Sequence, residues 1–186
     1  MDSPELLQTA LFYIGQLATL MDEVNTRISG SLDKTQRVSN LNRIMQEYVL
    51  ESIGIMFLGV RLGVLQGSPI GHQMFQACNA HFEVFFQTTL LPRRLARLTP
   101  MYWRLVAAWQ TIMAVCRGRA AEAAAGMARG GSEAARLEAT VLGLLIQKCG
   151  AESQMPALVA ADAFIAGIGK SKEIKIQGAD SPFPFF

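Results

Sequence analysis

Pro156-Ala157-Leu158-Val159-Ala160-Ala161-Asp162-Ala163-Phe164-Ile165-Ala166-Gly167-Ile168 reads as an apolar helix carrying a single charge, Asp162. Pro156 suits its first position, where a missing N–H goes unneeded. After Ile168 the chain changes character. Gly169-Lys170-Ser171 and the residues to Gly178 are polar and short-patterned, and Asp180-Ser181-Pro182-Phe183-Pro184-Phe185-Phe186 cannot continue a helix. The expected organisation is one partial domain over 1–168 and an unrelated, frayed or disordered tail over 169–186.

Gly167-Ile168-Gly169-Lys170-Ser171 imitates a phosphate-binding loop, but Phe164 stands where the first glycine of that pattern belongs. A phosphate loop also follows a strand and opens a helix, the reverse of this context.

Upstream, helical periodicity dominates. Leu7, Ala10, Leu11, Ile14, Leu17, Ala18, Met21, Val24 and Ile28 recur at three- and four-residue steps, one apolar stripe along a helix over Pro4–Ser29. Gly30-Ser31-Leu32-Asp33 breaks it. A second helix is expected over Ser39–Leu58, with Leu41, Ile44, Met45, Tyr48, Val49, Ile53 and Met56 inward. Gln66-Gly67-Ser68-Pro69-Ile70-Gly71 is a loop, and a third helix over His72–Leu91 carries Phe75, Phe82, Phe85 and Phe86. Thr99-Pro100 is an N-cap followed by proline at the first helical position, opening a long helix through Trp103, Trp109 and Ile112 to Ala125. A further helix is expected from Ser132 to Cys149, with Gly150 as its C-cap. No segment sustains a period of two, so the fold class is all-α.

Composition narrows the function classes. Hydrophobic residues make up 51% and charged residues 17%, which suits a packed helical globule or one that leaves apolar surface for a partner. With 17 Lys+Arg against 15 Asp+Glu there is no concentrated basic character, so nucleic acid is not an expected partner. Cys78, Cys116 and Cys149 form no Cys-x-x-Cys pair and have no histidine at zinc spacing, which predicts reduced core thiols. His72 and His81 face different sides of one helix and do not make a metal pair. The apolar run Met155–Gly169 is shorter than the roughly 20 residues of a membrane span. The start, Met1-Asp2-Ser3-Pro4-Glu5, lacks the basic opening of a targeting sequence.

Three ordered stretches carry a family resemblance. They are Leu50-Glu51-Ser52-Ile53 with Arg61-Leu62-Gly63-Val64-Leu65, then Leu98-Thr99-Pro100-Met101-Tyr102-Trp103, then Val159 to Ile168. Together they resemble the mitochondrial branch of the cytochrome P450 family: its fifth helix and following turn, the entry to its long seventh helix, and the first half of its central helix. Ala166-Gly167-Ile168 fits the opening of the family's Ala/Gly-Gly-x-Asp/Glu-Thr-Thr/Ser pattern, and Gly169-Lys170-Ser171 does not fit the rest. Taken singly, Glu51 and Arg61 also read as solvated charges, and Ala166-Gly167 as small residues at a helix crossing.

The resemblance implies the helical middle of a haem-thiolate monooxygenase, which inserts one oxygen atom of O2 into an apolar, sterol-like or lipid-like substrate. A ferredoxin supplies electrons, and the enzyme sits peripherally on the mitochondrial inner membrane. It implies that Ala166 and Gly167 flank the haem and oxygen pocket and that Phe85 and Phe86 line the substrate cavity, though these two phenylalanines read equally well as plain core packing. The family's Phe-x-x-Gly-x-Arg-x-Cys-x-Gly loop, whose cysteine thiolate holds the iron, surrounds none of the three cysteines. No catalytic residue or metal ligand is therefore assigned, stable haem binding is not expected, and the chain is expected to be inactive alone. One expected origin of the tail is translated intron, since Gly-Lys-Ser can arise from a splice donor in phase with the lost Asp codon. The alternative reading, from another class, is a non-enzymatic helical interaction protein that offers apolar faces to a partner.

Overall fold

The computed structural model describes residues 4–32, 38 and 40–179. These residues form helices and no strand, with one isolated antiparallel bridge between Leu32 and Val38. The fold is all-α, as the periodicity predicts.

Helix α1 (Pro4–Gly30) leads to α2 (Leu41–Ile53), which runs directly into a π-helical turn, Gly54–Leu58. The sequence predicts one helix to Leu58. The observed last turn is wider and ends at Gly59, whose φ of 70° is the left-handed conformation natural to glycine at a helix end. Helix α3 (Pro69–Thr89) packs along the length of α5 (Pro100–Arg129), and the short α4 (Arg93–Ala96) joins them. The Thr99 hydroxyl accepts from the Tyr102 N–H and starts α5 as its sequence predicts.

The single helix expected over Ser132–Cys149 is instead two, α6 (Ser132–Glu138) and α7 (Val141–Cys149). Thr140 causes the break. Its hydroxyl donates to the Leu137 carbonyl at 2.7 Å and accepts from the Gly143 N–H at 2.9 Å, ending one helix and capping the next. Helix α8 (Met155–Ala179) continues past Ile168 without a break in the backbone, so the change of composition at Gly169 is not a change of secondary structure. The rest of the expected tail, 180–186, lies outside the described residues.

The main core is built around α8. Ala157, Ala160, Ala161, Phe164 and Ile168 are buried against Leu50 of α2, Met74 of α3, Ile112 of α5 and Leu142 of α7. A smaller core joins Leu20 and Val24 of α1 to Ile44, Ile55 and Leu65. Of the predicted stripe of α1, Val24 is buried and Leu17 and Ile28 are partly buried, while Met21 is 44% exposed and Leu20, outside the stripe, is buried. Leu7, Leu11 and Ile14 are 65%, 58% and 62% exposed, because no described element lies over them. Among the described residues no helix is long and apolar enough to cross a membrane.

Candidate functional site

Two polar or aromatic assemblies stand out from this packing. The first is the turn after the π segment. Glu51 on α2 is fully buried, and its carboxylate accepts the Leu62 N–H at 2.9 Å and the Leu65 N–H at 3.4 Å. A buried carboxylate is tolerable only when such donors replace water. Gly63, at φ 73°, lets the backbone curl so that both donors converge on it.

Arg61, at the start of that turn, forms a two-pronged pair with Glu23 of α1 at 2.7 and 2.5 Å. The Arg61 guanidinium holds the Glu23 carboxyl below the usual carboxylate range, and Glu23 in turn raises Arg61. Beside them Glu47, buried, takes Arg43 at 2.9 Å and also pairs with Arg27. Glu51 and Glu47 are therefore structural carboxylates, not solvated helix-surface charges. Their job is to fix α1, α2 and the turn.

The second assembly is a shelf where α3, α5 and α8 meet. His81 and Phe85, one helical turn apart on α3, stack with ring centroids 5.8 Å apart and planes 18° off parallel. Trp109 of α5 lies 5.8 Å from the His81 ring at a tilt of 44°. Burial depresses the His81 pKa, and the charge of Asp162 on α8 partly opposes that effect. The His81 Nδ1 is buried with no hydrogen-bond partner among the described residues. Phe85 is 41% exposed, so the shelf presents an aromatic surface outward.

The sequence-predicted site residues separate here. Asp162 and Ala166, four apart, share the exposed face of α8 that adjoins His81. Gly167 faces elsewhere. A Cβ there would stand 2.1 Å from Ile53 Cδ1 and 3.4 Å from Val49 Cγ1, so this glycine lets α8 lie close against α2. Phe85 is on the shelf. Phe86 is within α3, and its side chain lies outside the described ones. His81, Trp109 and Asp162 were missed as a group. The four-residue spacing of His81 and Phe85 was the one available signal, and nothing local brings Trp109 or Asp162 to them.

The residues present do not fit a haem-iron ligand. Cys78 and Cys116 are buried, and burial pushes both thiols up, Cys116 to about 12, so neither offers a thiolate. Cys149 is exposed at the end of α7, which corrects its expected place in the core. Among the described residues no group of three His, Cys, Asp or Glu is placed to hold a metal ion. No protein-family model matches the chain, and no curated protein matches it.

Proposed function

We propose that the chain is the helical middle of a haem-thiolate monooxygenase of the mitochondrial cytochrome P450 type, and that it supplies one wall of an apolar substrate cavity without being active itself. The observation that carries the reading is the contact within the first motif. The carboxylate of Glu51, from Leu50-Glu51-Ser52-Ile53, holds the backbone of Arg61-Leu62-Gly63-Val64-Leu65, so two separated halves of one pattern act as one unit. The third motif, on α8, is the core of the molecule, as a central helix would be. Under this reading His81, Phe85 and Trp109 face the apolar substrate and Ala166 leaves room beside the haem face.

A membrane-peripheral position is supported by the exposed residues around α4. Leu90, Leu95, Leu98 and Trp103, between 55% and 84% exposed, lie close in sequence to the exposed Arg94, Arg97 and Arg104, from the end of α3 through α4 to the start of α5. An apolar patch with a cationic rim suits an anionic bilayer surface. The ferredoxin contact and the iron-holding loop would come from sequence other than this.

Joining Met1–Ile168 to the downstream sequence of the same gene tests the proposal. That sequence is expected to continue Asp-Thr-Thr behind an intron boundary at Ile168 and to encode the haem-ligand loop. The joined protein, reduced and exposed to CO, is expected to give the red-shifted Soret band of thiolate-ligated haem, and the 186-residue chain none. A single exon through Phe186 with no such loop downstream rejects the reading. One observation favours the interaction-protein alternative: residues 6–21 of α1 carry no charge while Leu7, Leu11 and Ile14 stay exposed. A stable complex formed through α1, with no monooxygenase sequence in the gene, would establish it.

A further inference from the structure

We infer that the cleft between the C-terminal half of α5, α6 and the π turn binds a small organic oxyanion, a carboxylate or phosphate monoester on a short apolar body. The cleft encloses about 300 Å³. Leu58, Val60 and Leu137 give it an apolar floor, while Arg119, Arg129 and Arg136 line it with three guanidinium groups. Arg119 is already committed to Glu122 at 2.7 Å. Arg129 and Arg136 make no ion pair or hydrogen bond among the described residues.

Arg136 is nonetheless held in place, with its guanidinium carbon 4.7 Å above the Phe12 ring. Stacking on a ring face fixes the plane of a guanidinium and leaves its N–H edge free to donate. Arg136, held on the ring, and Arg129, in the same lining as Leu58, Val60 and Leu137, match an oxyanion head attached to a hydrocarbon. The other carboxylate in the lining, Glu133, makes no ion pair among the described residues, opposes the anion and sets a limit on affinity. This inference does not depend on the monooxygenase reading.

Calorimetric titration of the full chain at low salt with hexanoate, hexyl phosphate, inorganic phosphate and hexanol tests it. The two hexyl anions are expected to bind, whichever is tighter identifying the head group. Inorganic phosphate and hexanol, each lacking half the recognition, are expected to bind at least about tenfold more weakly. Arg129→Gln removes a side chain with no ion pair or hydrogen bond among the described residues and is expected to weaken the hexyl anions about tenfold. Glu133→Gln is expected to tighten them severalfold, a change of opposite sign that a folding defect does not produce. Circular dichroism of both variants is expected to match the parent. Failure of both hexyl anions to bind, or unchanged affinity in both variants, overturns the inference.

Discussion

Replacing Glu51 by glutamine exchanges one carboxylate oxygen for an amide NH2 and tests how the chain holds its central turn. The carboxylate has two acceptor oxygens, one on the Leu62 N–H at 2.9 Å and one on the Leu65 N–H at 3.4 Å. Glutamine keeps one acceptor and turns an N–H2 group toward the other donor. The better arrangement leaves the oxygen on Leu62, whose bond is shorter, and strands the Leu65 N–H. Leu62 and Leu65 are 2% and 7% exposed, so water replaces little of what is lost.

A hydrogen bond to a charged group contributes about 1.5–3 kcal/mol, and a stranded buried donor costs about as much as the bond did. The length of the Leu65 bond places Glu51→Gln near the lower end, about 2 kcal/mol. Glu51→Ala loses both bonds and leaves a cavity, about 3–5 kcal/mol in all. In a domain of this size 1 kcal/mol lowers Tm by roughly 2–4 °C. The glutamine variant is therefore expected to melt about 4–8 °C below the parent by circular dichroism, and the alanine variant to be largely unfolded by moderate urea. If Glu51→Gln stays within about 0.5 kcal/mol of the parent, the spread of an ordinary surface change, the carboxylate does not organise the turn, and the contact that supports the functional reading carries nothing.

Three further outcomes are expected. Gly167→Ala brings a methyl to 2.1 Å from Ile53 Cδ1, costing about 1–3 kcal/mol in urea unfolding. Ile53→Val, which deletes that Cδ1, is expected to recover most of the loss in the double variant. His81 is expected to titrate below its ordinary value near 6.5 by NMR, because burial outweighs Asp162. Since its folded pKa lies below its unfolded one, its share of stability is full above about pH 6.5 and is lost as pH falls through the folded value. Asp162→Asn is expected to move that midpoint lower still, and a midpoint at or above 6.5 contradicts the geometry of the shelf. Leu90→Ser with Leu98→Ser, at positions 84% and 81% exposed, is expected to leave Tm within about 2 °C while abolishing co-flotation with anionic phosphatidylserine vesicles. Equal flotation by parent and variant removes the membrane-facing role of this patch.

What the sequence makes legible divides along the range of the interactions involved. Periodicity, Thr99-Pro100 and the glycines are local signals, and they place α1, α3 and α5 to within a few residues. Thr140 was equally local but lay inside an otherwise unbroken apolar pattern. Its hydroxyl outcompeted the helix only because Leu137 O and Gly143 N were both within reach, and so α6 and α7 read as one. The site is the opposite case. Whether Glu51 is a solvated charge or a buried clamp depends on a turn eleven residues away curling back at Gly63. His81, Trp109 and Asp162 meet only because α3, α5 and α8 converge. Gly167 shows how one local pattern serves two ends: Ala166 keeps the exposed face of α8 small, while its neighbour lets the same helix press onto Ile53. A small-residue pair on a central helix therefore does not by itself mark a ligand pocket. The geometry gives the packing role to Gly167 and leaves Ala166 on the exposed face of α8, one turn from Asp162.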